Sequence, residues 1–349
     1  MVAIMLTLAI LASALLSSST LAAGVRCAQD QPTASGERAE RFRCGEQWMN
    51  EADANDYHSR LLRWWRMPGD GFIALSTCSR ATTAVALRWM EATRPDLERL
   101  FGRSPAMSTV ILLRSQVQYN AFALTEKEPG RIPPESRGFS AFHHAYLCDS
   151  WLDVDRELTA PGAASAYWDA STPAGNQWGP LAVRHAAGLA FAEALDPSPR
   201  ASAAYRVDPE LPFDSTAFWA EKRIPQWLRY GAASYCERYF VEAGVANPTW
   251  ARAWSLQELE ASGGLGDIDE VLRCELSATE VSRSGRLLLQ TGLLVAFVLD
   301  GECAPVQAAH QSFRRAVQEQ SGVAAAAGNL ATALKSNEAA LREFATPPR

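Results

Sequence analysis

"PLAVRHAAGLAFAEAL", Pro180 to Leu195, has the composition of one long helix: alanine and leucine dominate, an apolar face runs its length, and His185 is its only histidine. What lies on either side differs in kind. Ahead of it, "FIALST" (72–77) and "TVILLR" (109–114) are short apolar runs that predict buried strands. Between them, "TAVALRWMEATRPDLERLFG" (83–102) predicts an amphipathic helix whose apolar faces are supplied by Val85, Leu87, Trp89, Leu97 and Leu100. A charged, aromatic segment ending in "YHSRLLRWWRM" (57–67) predicts a helix closed by Pro68-Gly69-Asp70-Gly71. "QVQYNAFAL" (116–124) predicts another helix, and "RGFSAFHHAYLCDSWLDV" (137–154) a hairpin with His143 and His144 near its turn.

From Asn176 onward the pattern is helical, with loops at "DPSPR" (196–200), "VDPELPFD" (207–214) and "ASGGLGD" (261–267), and a final helix over 321–344. The expected fold is α+β. A lead and helical segment occupies 24–71, a small mixed sheet with helices 72–175, and a predominantly helical C-terminal half 176–349.

With 349 residues and 48% hydrophobic content the chain can bury a large core, which excludes disorder as a whole. A net charge of −6, with the charges interspersed, leaves no basic stripe for nucleic acid. Residues 1–23 run from an apolar block, Val2 to Leu16, into small polar residues and an Ala-rich end. That is the layout of a signal peptide cleaved near Ala22 or Ala23. The first basic residue is Arg26, so no positive charge precedes the apolar block, and a retained N-terminal membrane anchor is the alternative. No membrane span is expected in the mature chain. Seven cysteines (27, 44, 78, 148, 236, 274 and 303) form no CxxC pair, which argues against a zinc ribbon. In an exported chain they meet an oxidising compartment. Cys27 with Cys44 and Cys274 with Cys303 are close enough in sequence to pair, the odd count leaves at least one thiol, and the connectivity stays open.

A second stretch completes the functional reading. Zinc hydrolases of the HExxH type set two histidines one helical turn apart, so that both face one metal, with a glutamate beside the first to deprotonate the bound water. A glutamate from a later helix supplies the third ligand. "IPQWLRYGAASYCERYF" (224–240) resembles the P-x-W-L-x-E-G-x-A-x-Y-x-E segment that carries this distal glutamate in gluzincin-type, peptidase MA-like secreted bacterial metallopeptidases. Pro225, Trp227, Leu228, Gly231, Ala233, Tyr235 and Glu237 match, and "SRSGRLLLQTGLLVAFVL" (282–299) resembles a later helix of the same family. The resemblance implies a zincin-like fold and, in active relatives, zinc-dependent peptide hydrolysis.

The chemical positions depart from that pattern. His185 stands at the first histidine, but Ala186 replaces the base, Leu189 the second histidine and Tyr230 the distal glutamate. Metal coordination lowers the pKa of water from about 15.7 to about 7, roughly 12 kcal/mol at 1.36 per unit, and one imidazole cannot hold the ion that does so. The expected function is that of a catalytically inactive pseudopeptidase with a binding or structural role outside the cytoplasm, no metal and no cofactor. The alternative is an active hydrolase using a metal site rebuilt around His185 with His143, His144 or Glu237, or another site altogether. Cys236 with His185 as base is a thiol-hydrolase variant of it. Tyr230 is expected to pack with Leu189 and to bond one nitrogen of His185, directly or through water. Trp178 and Trp227 are candidates to line a cleft for a protein, peptide or glycan partner.

Overall fold

The structure is a computed structural model and describes residues 42–44, 47–49, 65–115, 145–147, 164–196, 222–237, 241–242, 245–246, 259–261, 263–276 and 281–346. Strands β1 (Phe42–Cys44) and β2 (Gln47–Met49) pair antiparallel. The main sheet is built from β3 (Trp65–Pro68), β4 (Phe72–Ser76), β5 (Ser108–Leu113), β6 (Ala145–Leu147) and β7 (Ala164–Tyr167), in the order β3-β4-β5-β7-β6. β4, β5 and β7 run parallel, and the two outer strands run antiparallel to their neighbours. All six residues of β5 are buried, the pattern of a central strand covered on both faces.

One expectation changes here. The segment ending at Met67 is not helical at its end: Trp65–Pro68 is strand, because the turn at Gly69 folds it back onto β4, with Trp65 facing Ser76. A boundary at residue 71 therefore cuts through a hairpin. Of the hairpin expected over 137–154 only β6 is described, and it pairs with β7; the remaining residues, His143 and His144 among them, lie outside the described residues. So does the helix expected over 116–124 from Gln116 on.

Helix α1 (Arg80–Phe101) starts at Ser79, whose hydroxyl accepts the Thr82 amide at 3.1 Å, and ends at Gly102 in the left-handed region, φ 80°. Helix α2 (Pro173–Leu195) starts at Thr172 with proline in its first turn. Its residues from Ala182 to Ala192 are buried without a polar stripe, as a helix enclosed on all sides must be. β5 and β7 lie on one side of it, α1 and α3 (Gln226–Glu237) on the others. A short pair follows, β8 (Val241–Glu242) with β9 (Val245–Ala246).

The remaining elements among the described residues are helices: α4 (Ile268–Arg273), α5 (Val281–Asp300), α6 (Ala304–Glu319), α7 (Val323–Ser336) and α8 (Glu338–Phe344). The final helix expected over 321–344 is broken at Asn337, whose side chain donates to the Ala333 carbonyl at 2.8 Å. Phenylalanine rings join the layers: Phe72 of β4 lies 6.4 Å from Phe191 of α2, Phe191 lies 6.0 Å from Phe101 of α1, and Phe101 lies 6.3 Å from Phe313 of α6. Among the described residues no single helix is long and apolar enough to cross a membrane.

Candidate functional site

The helices that carry the candidate residues, α2 and α3, lie side by side and run in opposite directions. Three contacts set their register: His185 meets Glu237, Gly188 meets Ala233, and Glu193 meets Arg229. The middle contact is the closest. A Cβ added at Gly188 would fall 2.6 Å from the Cα of Ala233, so the two backbones touch with no side chain between them. On the other face of α3, a Cβ at Gly231 would fall 2.7 Å from the Thr291 carbonyl oxygen, and one at Gly292 would fall 2.9 Å from the Ser234 Cβ. Glycine and small residues thus draw α2, α3 and α5 into a close-packed triplet.

Ala186, Leu189 and Tyr230, at the base and two ligand positions, are all buried in one apolar core, with Tyr230 and Ala186 fully enclosed. His185 is also enclosed, and its Nδ1 lies 3.3 Å from Glu237 Oε2. The sequence places Tyr230 as the partner of His185, but the register puts Glu237 there. Seven residues separate Tyr230 from Glu237, about 10 Å of helix rise, and His185 sits at the Glu237 end. Tyr230 lies toward Glu193, at the Leu189 end of the contact. Trp227, expected at a cleft, is a core residue, 2% exposed. The side chain of Trp178 lies outside the described residues.

Beside His185, the guanidinium of Arg184 stacks over Trp89 of α1, 4.5 Å from the ring centroid, and its Nε donates to the Pro180 carbonyl at 3.0 Å. Burial pulls its pKa down to about 10, against the attraction of Cys236 and Glu237. Cys236 is buried, and desolvation pushes its thiol well up, with Asp96 adding to the effect. A thiol held protonated in this way is a poor nucleophile, which disfavours the thiol-hydrolase variant. Cys78, Cys274 and Cys303 also stand as thiols. Among the described residues no three His, Cys, Asp or Glu side chains are grouped as a metal would need.

A charged network at the opposite end of the helix pair has no counterpart in the sequence reading. Arg229 Nη1 bonds Glu193 at 2.5 Å, its Nη2 bonds Asp196 at 2.6 Å, and its Nε bonds the Ile224 carbonyl at 2.9 Å. Lys222 bonds the other oxygen of Glu193, and the Ile224 amide and Arg223 bond Asp196 at 2.8 and 2.9 Å. Burial would raise the Asp196 carboxyl, but Arg229, the Ile224 amide and Arg223 outweigh it and hold it below its usual range. Glu193, Asp196, Lys222 and Arg229 are all buried. The available signal was the charged residues inside otherwise apolar runs, "AFAEALD" and "PQWLRYG".

Compared with family models, curated proteins and solved structures, the chain matches none, so it is assigned to no family. Fold and site define an α+β molecule with a small mixed sheet, organised around one buried helix.

Proposed function

We propose that the protein is a catalytically inactive metallopeptidase-like molecule, exported from the cytoplasm, whose paired helices serve binding or structure rather than hydrolysis. One observation carries the reading. The positions of base, second ligand and third ligand are Ala186, Leu189 and Tyr230, all sealed in the core, while Gly188 packs directly on Ala233. Enclosed apolar and aromatic side chains thus stand at all three positions where the resemblance would require a base and two metal ligands. The partner proposed is a protein, peptide or glycan.

The test is to purify the protein from its native host and measure intact mass and zinc content together, then assay cleavage of an unstructured peptide with and without chelator. The expected result is a chain beginning near Gly24, without stoichiometric zinc and without chelator-sensitive cleavage. One observation favours the other reading: His185 and Glu237, two ligand types, lie 3.3 Å apart and buried. Near-stoichiometric zinc that disappears in His185→Ala would establish that rebuilt centre and refute the inactive one.

A further inference from the structure

Where α1 meets α6 there is a cleft to which neither α2 nor α3 contributes. It is open, with a volume of about 540 Å³, and is walled by the last turns of α1, the loop that follows and Arg314 of α6. Four of its lining residues are arginines, Arg94, Arg99, Arg103 and Arg314, set against one carboxylate, Glu98. In a chain whose net charge is −6, this is a local reversal of sign.

The four guanidinium groups are not equivalent. Arg94 pairs with Glu98 at 2.7 Å, and Glu98 also accepts the Ser104 hydroxyl. Arg99 is divided among Asp96 at 3.2 Å, Asp300 at 2.9 Å and the Tyr235 hydroxyl at 3.0 Å. Arg103 and Arg314 form no ion pair among the described residues, and the Nε of Arg314 is shielded from solvent with no acceptor. Arg314 is also held at its base. A Cβ at Gly102 would fall 2.9 Å from the Arg314 carbonyl oxygen. One turn to either side of it on α6, His310 donates to the Leu100 carbonyl at 2.8 Å and Gln318 to the Gly102 carbonyl at 2.6 Å. The helix end and the arginine are therefore fixed to each other.

We propose that this cleft binds a doubly charged oxyanion of the phosphate class, held by Arg103 and Arg314. A carboxylate presents two oxygens and satisfies one guanidinium fork. A phosphate presents three oxygens and up to two charges, enough to engage two forks at once. Bound there, it gives the unpaired guanidinium groups of Arg103 and Arg314 a counter-charge and offsets the repulsion among the clustered arginines. Two sources share this chemistry, free phosphate and the phosphomonoester headgroup of phosphatidic acid. The proposal is independent of whether the α2–α3 pair holds a metal.

The experiment titrates the full chain with inorganic phosphate by calorimetry and, separately, measures co-sedimentation with phosphatidylcholine vesicles containing phosphatidic acid. Wild type is compared with Arg103→Ala, Arg314→Ala and Arg314→Lys, each first checked by circular dichroism. Saturable binding is expected in at least one arm, weakened about tenfold or more by either alanine variant and less by lysine, which keeps the charge but loses the fork. Saturation by phosphate alone identifies the free ion, and by vesicles alone the headgroup. Absence of saturable binding in both arms, or binding unchanged in both alanine variants, overturns the proposal.

Discussion

Gly188 is the residue on which the helix pair turns. It lies between His185 and Leu189, and its missing side chain lets the α2 backbone reach the Cα of Ala233. The obstacle there is backbone, which cannot rotate aside, so Gly188→Ala is expected to destabilise by about 1–3 kcal/mol through overpacking despite alanine's better helix propensity. Tyr230→Ala removes a fully enclosed aromatic side chain and is expected to cost about 3–5 kcal/mol, with His185→Ala costing less. Urea denaturation of the three variants measures all of this. A neutral Gly188→Ala would mean that the two backbones are not in contact there, and an unchanged midpoint in Tyr230→Ala would mean that its side chain is not packed in the core.

At the scale of the element, α2 and α3 are joined differently at their two ends. Apolar side chains and one His–Glu contact occupy the His185 end, and a buried four-residue charge network closes the other. Removing one member of such a network leaves its partners charged and enclosed. Arg229→Leu is therefore expected to lose about 3–5 kcal/mol by removing the buried counter-charge of Asp196, which keeps only the partly exposed Arg223, and one of the two that serve Glu193. Arg223→Ala, whose side chain is 41% exposed, is expected to lose under about 1 kcal/mol. Equal losses from the two, read as denaturation midpoints at constant slope, would contradict the network's buried role.

β4, β5, α1 and α2 were legible in the sequence from their apolar runs and faces, and α3 and α5 from the segments that resemble metallopeptidase helices within a helical C-terminal half. The partner of His185 was not. Which side chains face each other across two helices depends on register, and register here follows from Gly188 and from charges at the far end, neither of which changes the periodicity. Trp65–Pro68 misled for a related reason: "RLLRWWRM" has helical composition, and only pairing with β4 makes its end a strand.

For the molecule as a whole, the joint between α1 and α6 sets an acid limit. His310 is buried, and its Nε2 donates to the Leu100 carbonyl. Burial lowers its pKa from the ordinary 6.5; the Leu100 bond opposes the shift, and the neighbouring Arg314 and Arg99 reinforce it. Because the folded-state pKa is depressed, the unfolded chain takes up the proton first. The contribution to stability is complete above about pH 6.5 and is lost as the pH falls from there through the folded-state pKa. Melting temperatures recorded from neutral pH down to about pH 5.5 should fall for wild type and fall less for His310→Gln, which retains an N–H donor without titrating in that range. Parallel curves for the two would remove His310 as the cause.

The same joint has a consequence in time. Leu100 and Gly102 are completed by residues 210 and 216 positions further along the chain. At about 5–20 residues per second of synthesis, the end of α1 waits roughly 10–45 s for the residues that finish it. Until then Phe101 lacks the Phe313 ring of α6 against which it packs, and no early-folding unit of the nascent chain can include the closed end of α1.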